Sequence, residues 1–171
     1  DGTPSDISRD GSTLIGYSSD QRLYVSYWDD VNEEWSAPET IATNGLFPNT
    51  GDDLQPSFSP DELTIYFASS RWEPDGGSSW NIMAISRLDY ATPWTDTSSL
   101  TGHFVEGINS ATEIGPFMYG NRLYFQSSRS GGIGGYDLYA AIVPEPNTGI
   151  LLAFSALALL TRFGRRRNRR I

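Results

Sequence analysis

The chain has 171 residues, no cysteine, 17 glycines, 13% aromatic residues and a formal net charge of −9. That excludes disulfides, thiolate nucleophiles and Cys-bound zinc, and the length accommodates one domain. All twelve basic residues are Arg, six of them at 162–170, while all 21 acids lie at or before Glu145; residues 1–160 therefore carry a net −15 and repel nucleic acid.

The opening Asp1-Gly2-Thr3-Pro4 reads like the interior of a repeat, with neither an initiating Met nor an apolar leader. The expectation is a C-terminal fragment of a longer protein. Ser8 to Ser19 then aligns without a gap to Ser59 to Ser70, at an offset of 51. Within the second copy Leu63, Ile65 and Phe67 alternate with Thr64, Tyr66 and Ala68. This period of two predicts a strand with one apolar face. Ser59-Pro60-Asp61 before it predicts a turn, because Pro fixes φ and Asp bonds back to the backbone.

A third copy follows. Tyr66-Phe67-Ala68-Ser69-Ser70-Arg71 matches Tyr124-Phe125-Gln126-Ser127-Ser128-Arg129, 58 residues on, and Trp35 recurs as Trp94, 59 residues on. Asn49 to Pro56 recurs as Asn109 to Pro116 at an offset of 60. A strand-rich unit of 51–60 residues is the mark of a repeat architecture. The fold class expected is all-β: a partial β-propeller of about three blades, short of the roughly 4–8 that close a ring. The units fall at about 1–45, 46–105 and 106–143, and a short hydrophobic helix is expected after them.

Phe58-Ser59-Pro60-Asp61 with Ile65 to Arg71, and Tyr124 to Gly132 with Gly135-Tyr136-Asp137-Leu138-Tyr139, resemble the repeat of TolB-like, WD-like propellers. In that family Ser-Pro-Asp-Gly precedes an aromatic strand, Ser-x-Arg, glycines and Asp-aliphatic-aromatic. Glu62 and Asn81 depart from this pattern in the second copy, and the first copy lacks the Arg and the glycine loop. Ser59, Pro60, Asp61, Arg71, Arg129 and Asp137 read as structural members of the repeat, with Arg129 within reach of Asp137 across its hairpin. The competing reading, an anion site at Arg71 and Arg129, is disfavoured because both recur with the unit. Gly131 to Gly135 read as a hairpin turn, since no helix pattern and no Lys follow.

The tail is a separate object. Pro144-Glu145-Pro146 precedes an apolar segment (Gly149, Ile150, Leu151, Leu152, Leu157, Leu159, Leu160), and Arg162, Arg165, Arg166, Arg167, Arg169 and Arg170 close the chain. This order resembles the PEP-CTERM sorting signal over residues 144–171. As a helix, residues 149–161 would span about 20 Å at 1.5 Å per residue, short of the ~30 Å hydrocarbon core. Such a segment suits a temporary anchor with snorkelling arginines. The Arg cluster keeps the C-terminus cytoplasmic and the acidic body outside. The resemblance implies recognition and removal of the tail by an exosortase, a membrane-embedded cysteine protease. It also implies an exopolysaccharide-producing bacterium of Gram-negative type.

No coherent catalytic set emerges. His103 is the sole histidine and reads as a loop or edge-strand residue rather than a triad base. Asp29 to Glu34 and Asn49 to Asp53 carry oxygen ligands for calcium, but solvated turns are the better reading, and no metal or cofactor is expected. Trp72, Trp80 and Tyr136 sit beside glycine loops, where they could stack on sugar rings; Trp28, Trp35 and Trp94 read as core. The function expected is an exported, surface-displayed or secreted non-catalytic propeller. Its partners would be the exosortase, the inner membrane transiently, and a polysaccharide or envelope protein. The alternatives are a secreted glycan- or peptide-acting hydrolase whose catalytic residues lie partly upstream, and a permanently anchored periplasmic adaptor.

Overall fold

The computed structural model describes residues 2–47, 49–71 and 80–143. The tail from 144 to 171, with its Pro-Glu-Pro, apolar segment and Arg cluster, lies outside the described residues. Among those described, no helix is long and apolar enough to cross a membrane, and the one helical element is a 3-10 turn at Thr97–Ser99.

The chain is all-β, built as three successive antiparallel sheets. The first orders β1 (Gly2–Ile7), β2 (Thr13–Ser18), β3 (Leu23–Asp29) and β4 (Glu34–Trp35), with β5 (Glu39–Thr40) also pairing with β3. The second orders β6 (Asp53–Phe58), β7 (Thr64–Ser69), β8 (Asn81–Arg87) and β9 (Leu100–Phe104). The third orders β10 (Glu113–Tyr119), β11 (Arg122–Ser127) and β12 (Asp137–Ile142).

The sheets repeat in register. Gly2 lies opposite Ser18, Asp53 opposite Ser69 and Glu113 opposite Ser127. Each first pair then breaks register at the equivalent place: between Pro4 and Asp6, Leu54 and Ser57, and Ile114 and Phe117. Such a bulge needs a residue that relieves the pleat. Gln55 (φ 54°) and Gly115 (φ 61°) do this in left-handed conformations; Pro4, whose ring holds φ negative, accommodates it otherwise.

The first hairpins are set by one turn chemistry. Ser8 Oγ donates to Asp10 Oδ1 at 2.7 Å and accepts from Thr13 N–H at 2.8 Å. Ser59 repeats this with Asp61 at 2.6 Å and Thr64 at 2.9 Å. The left-handed position is Gly11 (φ 75°) in the first turn and Glu62 (φ 54°) in the second. Glu62 departs from the glycine of the repeat pattern, and its carboxylate accepts the Arg9 N–H at 2.6 Å from the preceding sheet.

Face-to-face packing joins the sheets. Ile15, Leu23 and Val25 of the first meet Phe58, Ile65, Phe67, Met83 and Ile85 of the second, with Phe47 and Trp94 filling the edge. Tyr66, Ala68, Ile82 and Ala84, on the other face of the second sheet, meet Met118, Leu123 and Phe125 of the third. All six residues of β7 are consequently buried. This corrects the expectation of one apolar face: Tyr66 and Ala68 pack as tightly as Ile65 and Phe67, because the middle sheet has a neighbour on both sides. Burying each such large apolar side chain stabilises by about 1.5–3 kcal/mol.

Burial, with a lesser contribution from Asp61, pushes the Tyr66 phenol up to about 12. The neutral phenol is favoured by the fold, so its contribution is intact below pH ~10 and lost as pH rises toward 12. Urea midpoints measured at rising alkaline pH should fall over that window, and Tyr66→Phe should make the fall shallower.

Candidate functional site

Two of the side chains singled out by the repeat, Arg71 and Arg129, each pair with a buried acid. Arg71 is 0% exposed, and its guanidinium has five N–H donors, each with an acceptor. Nη1 donates to Asp53 Oδ1 and, at 2.9 Å, to Ser69 Oγ. Nη2 donates to Thr43 Oγ1 at 3.0 Å and Asn44 Oδ1 at 2.9 Å, and Nε to the Asn49 carbonyl at 3.2 Å. The guanidinium also lies 5.1 Å from the centroid of the Phe47 ring. Asp53 is equally buried and accepts further bonds from Ser69 Oγ at 2.7 Å and Thr43 Oγ1 at 2.5 Å. The expectation of a solvated turn over Asn49 to Asp53 is therefore corrected: Asp53 opens β6 inside the protein. Gly51 is required here, since a Cβ would stand 2.7 Å from Arg71 Cγ.

The third sheet repeats the arrangement with a longer acid. Arg129 Nη2 lies 3.2 Å from Glu113 Oε1 and donates to the Ile108 carbonyl at 2.6 Å. Its Nε donates to Ser127 Oγ at 2.9 Å. Its guanidinium stacks over Tyr139 at 4.6 Å and Phe125 at 5.2 Å. Glu113 is 0% exposed and also accepts from the amides of Ser110 and Ala111. Arg129 therefore turns inward to Glu113 rather than across the hairpin to Asp137. Asp137 instead accepts the Ile133 and Gly134 amides and closes the glycine turn.

The logic of Ser-x-Arg is now explicit. The serine hydroxyl donates to the acid and accepts from the arginine two residues on, at backbone and guanidinium alike. With every donor of Arg71 committed, this couple is architecture, not an anion site. In the first sheet the positions equivalent to the acid and the arginine are Gly2 and Asp20. Both members of the couple are absent together, as expected when leaving one charge buried alone is far costlier than having neither.

Two surface features remain open. A polar cleft at the junction of the first two sheets is lined by Arg9, Asp10, Pro60, Asp61, Glu62 and Tyr90. The Asp10 carboxyl there is held down at about 2, chiefly by the Ser8 hydroxyl and then by Ser12. An apolar groove on the outer face of the third sheet is lined by Gly115, Phe117, Tyr119, Tyr124, Gln126 and Leu138.

The remaining candidates separate. His103 lies exposed on the edge strand β9. Asp29 caps the β3–β4 turn through the Val31 and Asn32 amides. No group of three His, Asp or Glu among the described residues could hold a metal ion. Trp94 is fully buried, as expected of a core residue. Trp28 and Trp35 instead pair edge-to-face at 5.5 Å, with Trp28 left 37% exposed at the end of its strand. Trp80 packs against the second core cluster, Tyr136 is exposed, and Trp72 lies outside the described residues. No family model and no curated protein matches this chain.

Removing one member of the Asp53–Arg71 couple should cost about 3–5 kcal/mol. A double-mutant cycle over Asp53→Leu and Arg71→Met tests this by urea denaturation. The double variant should be more stable than either single one; additive losses would show that the two side chains act independently.

Proposed function

We propose that the chain is an exported binding module: a TolB-like β-propeller segment delivered by a PEP-CTERM tail and acting without catalysis on a polysaccharide or protein of the extracellular matrix. The observation that carries this reading is the union of two sequence objects on one chain. A net-acidic repeat body built on Ser-x-Arg is followed by Pro144-Glu145-Pro146, an apolar segment and six arginines. The in-register recurrence of the three sheets and the pairing of each Ser-x-Arg arginine with a buried acid support the propeller part. The tail supports export, because its cationic end holds to the cytoplasmic side and leaves the body outside. A non-catalytic role fits the dispersal of His103 and the acids, and the commitment of Arg71 to structure.

In this reading the exosortase recognises Pro144-Glu145-Pro146 while the apolar segment rests in the inner membrane. The body is then released to the cell surface or the medium. Intact-mass measurement of the mature protein, produced in a bacterium that carries an exosortase, tests it. The expected mass lacks the Arg-rich tail, and the released body is retained by the host's exopolysaccharide without shortening it. Retention of residues 147–171, or hydrolysis of the polysaccharide, contradicts the reading.

A further inference from the structure

The twin Ser-x-Asp turns of the first two sheets do not close on each other. Between them lies the polar cleft, about 270 Å³ in volume, lined by Arg9, Asp10, Pro60, Asp61, Glu62 and Tyr90. All six belong to the first two units, so the cleft is complete within the described residues. Two of them are not demanded by the turn. The first turn forms with Gly11 where the second has Glu62, and the second forms with Pro60 where the first has Arg9. Glu62 holds a left-handed φ of 54°, which glycine takes at less cost. The hairpin between β10 and β11 is the two-residue Gly120-Asn121 and brings no carboxylate.

Tyr90 is 64% exposed yet held in place. Its hydroxyl donates to the Asp61 carbonyl at 2.8 Å. The Arg87 guanidinium lies 5.4 Å from its ring centroid and 4.6 Å from that of Trp94. Arg87 is itself tied to the Glu62 and Thr92 carbonyls at 3.2 and 3.3 Å. With Arg87 against one face, the open face of the ring is the other, and a ring fixed in advance loses little freedom on binding. The walls offer both kinds of polar partner. Asp61 Oδ1 accepts from Ser59 Oγ and the Leu63 N–H, while Asp61 Oδ2 is buried without a partner, a costly state for an acceptor. Arg9 Nη2 donates to the Pro60 carbonyl at 3.3 Å; its remaining guanidinium donors have no acceptor among the described residues.

Resting on the matrix-binding reading, we infer that this cleft takes one neutral pyranose ring of a polysaccharide. An aromatic face, a carboxylate acceptor and a guanidinium donor side by side suit a ring with an apolar C–H face and a rim of hydroxyls, each of which donates and accepts. The C–H face lies on Tyr90, one hydroxyl donates to Asp61 Oδ2 and another accepts from Arg9. Three carboxylates outnumber Arg9 in the lining and turn away a uronic acid. A simple cation would satisfy Asp61 but stand against Arg9. The volume suits a single ring, and a ligand of about a dozen non-hydrogen atoms suits an affinity of about 1 mM. Repeated rings along one polymer raise the avidity wherever several copies of the protein meet it.

Amide-detected NMR titration of the full chain in mild detergent tests the proposal. The probes are the methyl pyranosides of glucose, galactose, mannose and rhamnose, with methyl glucuronide and arginine amide as charged comparisons. The expected result is that at least one neutral glycoside shifts the Arg9, Glu62 and Tyr90 signals, and does so more strongly than either charged probe. Tyr90→Ala and Arg9→Met, both at exposed positions, should each weaken that binding about tenfold, the worth of one stacking face or one charge-assisted bond, with the circular dichroism unchanged. Silence of all four glycosides, a charged probe that shifts the signals as strongly, or binding that survives Tyr90→Ala overturns the proposal. Shifts from arginine amide alone would make the cleft a seat for a basic peptide instead. Retention of the body by exopolysaccharide is scored apart. Retention that Tyr90→Ala leaves intact overturns the cleft alone, and loss of retention with glycoside binding kept overturns the matrix reading alone.

Discussion

A buried arginine sets the terms for the middle of this protein. Arg71 sits with no exposure between β7 and the loop that precedes β6, and Asp53 faces it from the first residue of β6. Taking both charges out of water is tolerable only with close pairing and a full complement of hydrogen bonds. Thr43, Asn44, Asn49 and Ser69 supply that complement. The couple thereby ties the loop following the first sheet to both leading strands of the second, and it obliges residue 51 to be glycine. Glu113 and Arg129 perform the same task one unit on, with the Ile108 carbonyl accepting from the guanidinium and the amides of Ser110 and Ala111 donating to the carboxylate.

Sheet stacking follows from that anchoring. Once the start of each leading strand is fixed against the end of its neighbour, the bulge at residue 55 or 115 and the alternation of the pleat decide which side chains look forward and which look back. A slip of one residue would exchange Ile65 and Phe67 for Tyr66 and Ala68. Both sets are apolar, so hydrophobic pattern alone does not specify the register of β7. The charge couple does: Asp53 meets Arg71 only when it lies opposite Ser69. Polar bonding here supplies specificity where apolar burial is indifferent to register.

The strands and their turns were legible in the amino-acid sequence because their causes are local. Ser59-Pro60-Asp61 bonds within six residues, and the alternation around Ile65 is a property of the strand itself. Two-sided burial of β7 was not legible, since a Tyr and an Ala on the second face look half-solvated until a neighbouring sheet is present. The sequence points the Ser-x-Arg arginine at Asp137, across the nearer hairpin, whereas in the structure it pairs with Glu113 on the other flanking strand. A signal for it existed. The acid of Asn49 to Asp53 recurs as Glu113 while Arg71 recurs as Arg129, and both are replaced, by Gly2 and Asp20, in the first unit. Trp35 and Trp94 share a spacing but not a fate, because only Trp94 has Phe58 and Arg87 closed over it.

The central claim is that Arg71 is a sealed structural cation. Solvent exchange of the arginine Nε–H protons, followed by nitrogen-edited NMR, reads this directly. The account predicts a resolved, strongly protected Arg71 signal, an intermediate Arg129, and an Arg122 that exchanges as fast as a free side chain. An Arg71 Nε–H exchanging as fast as that of Arg122 would contradict it.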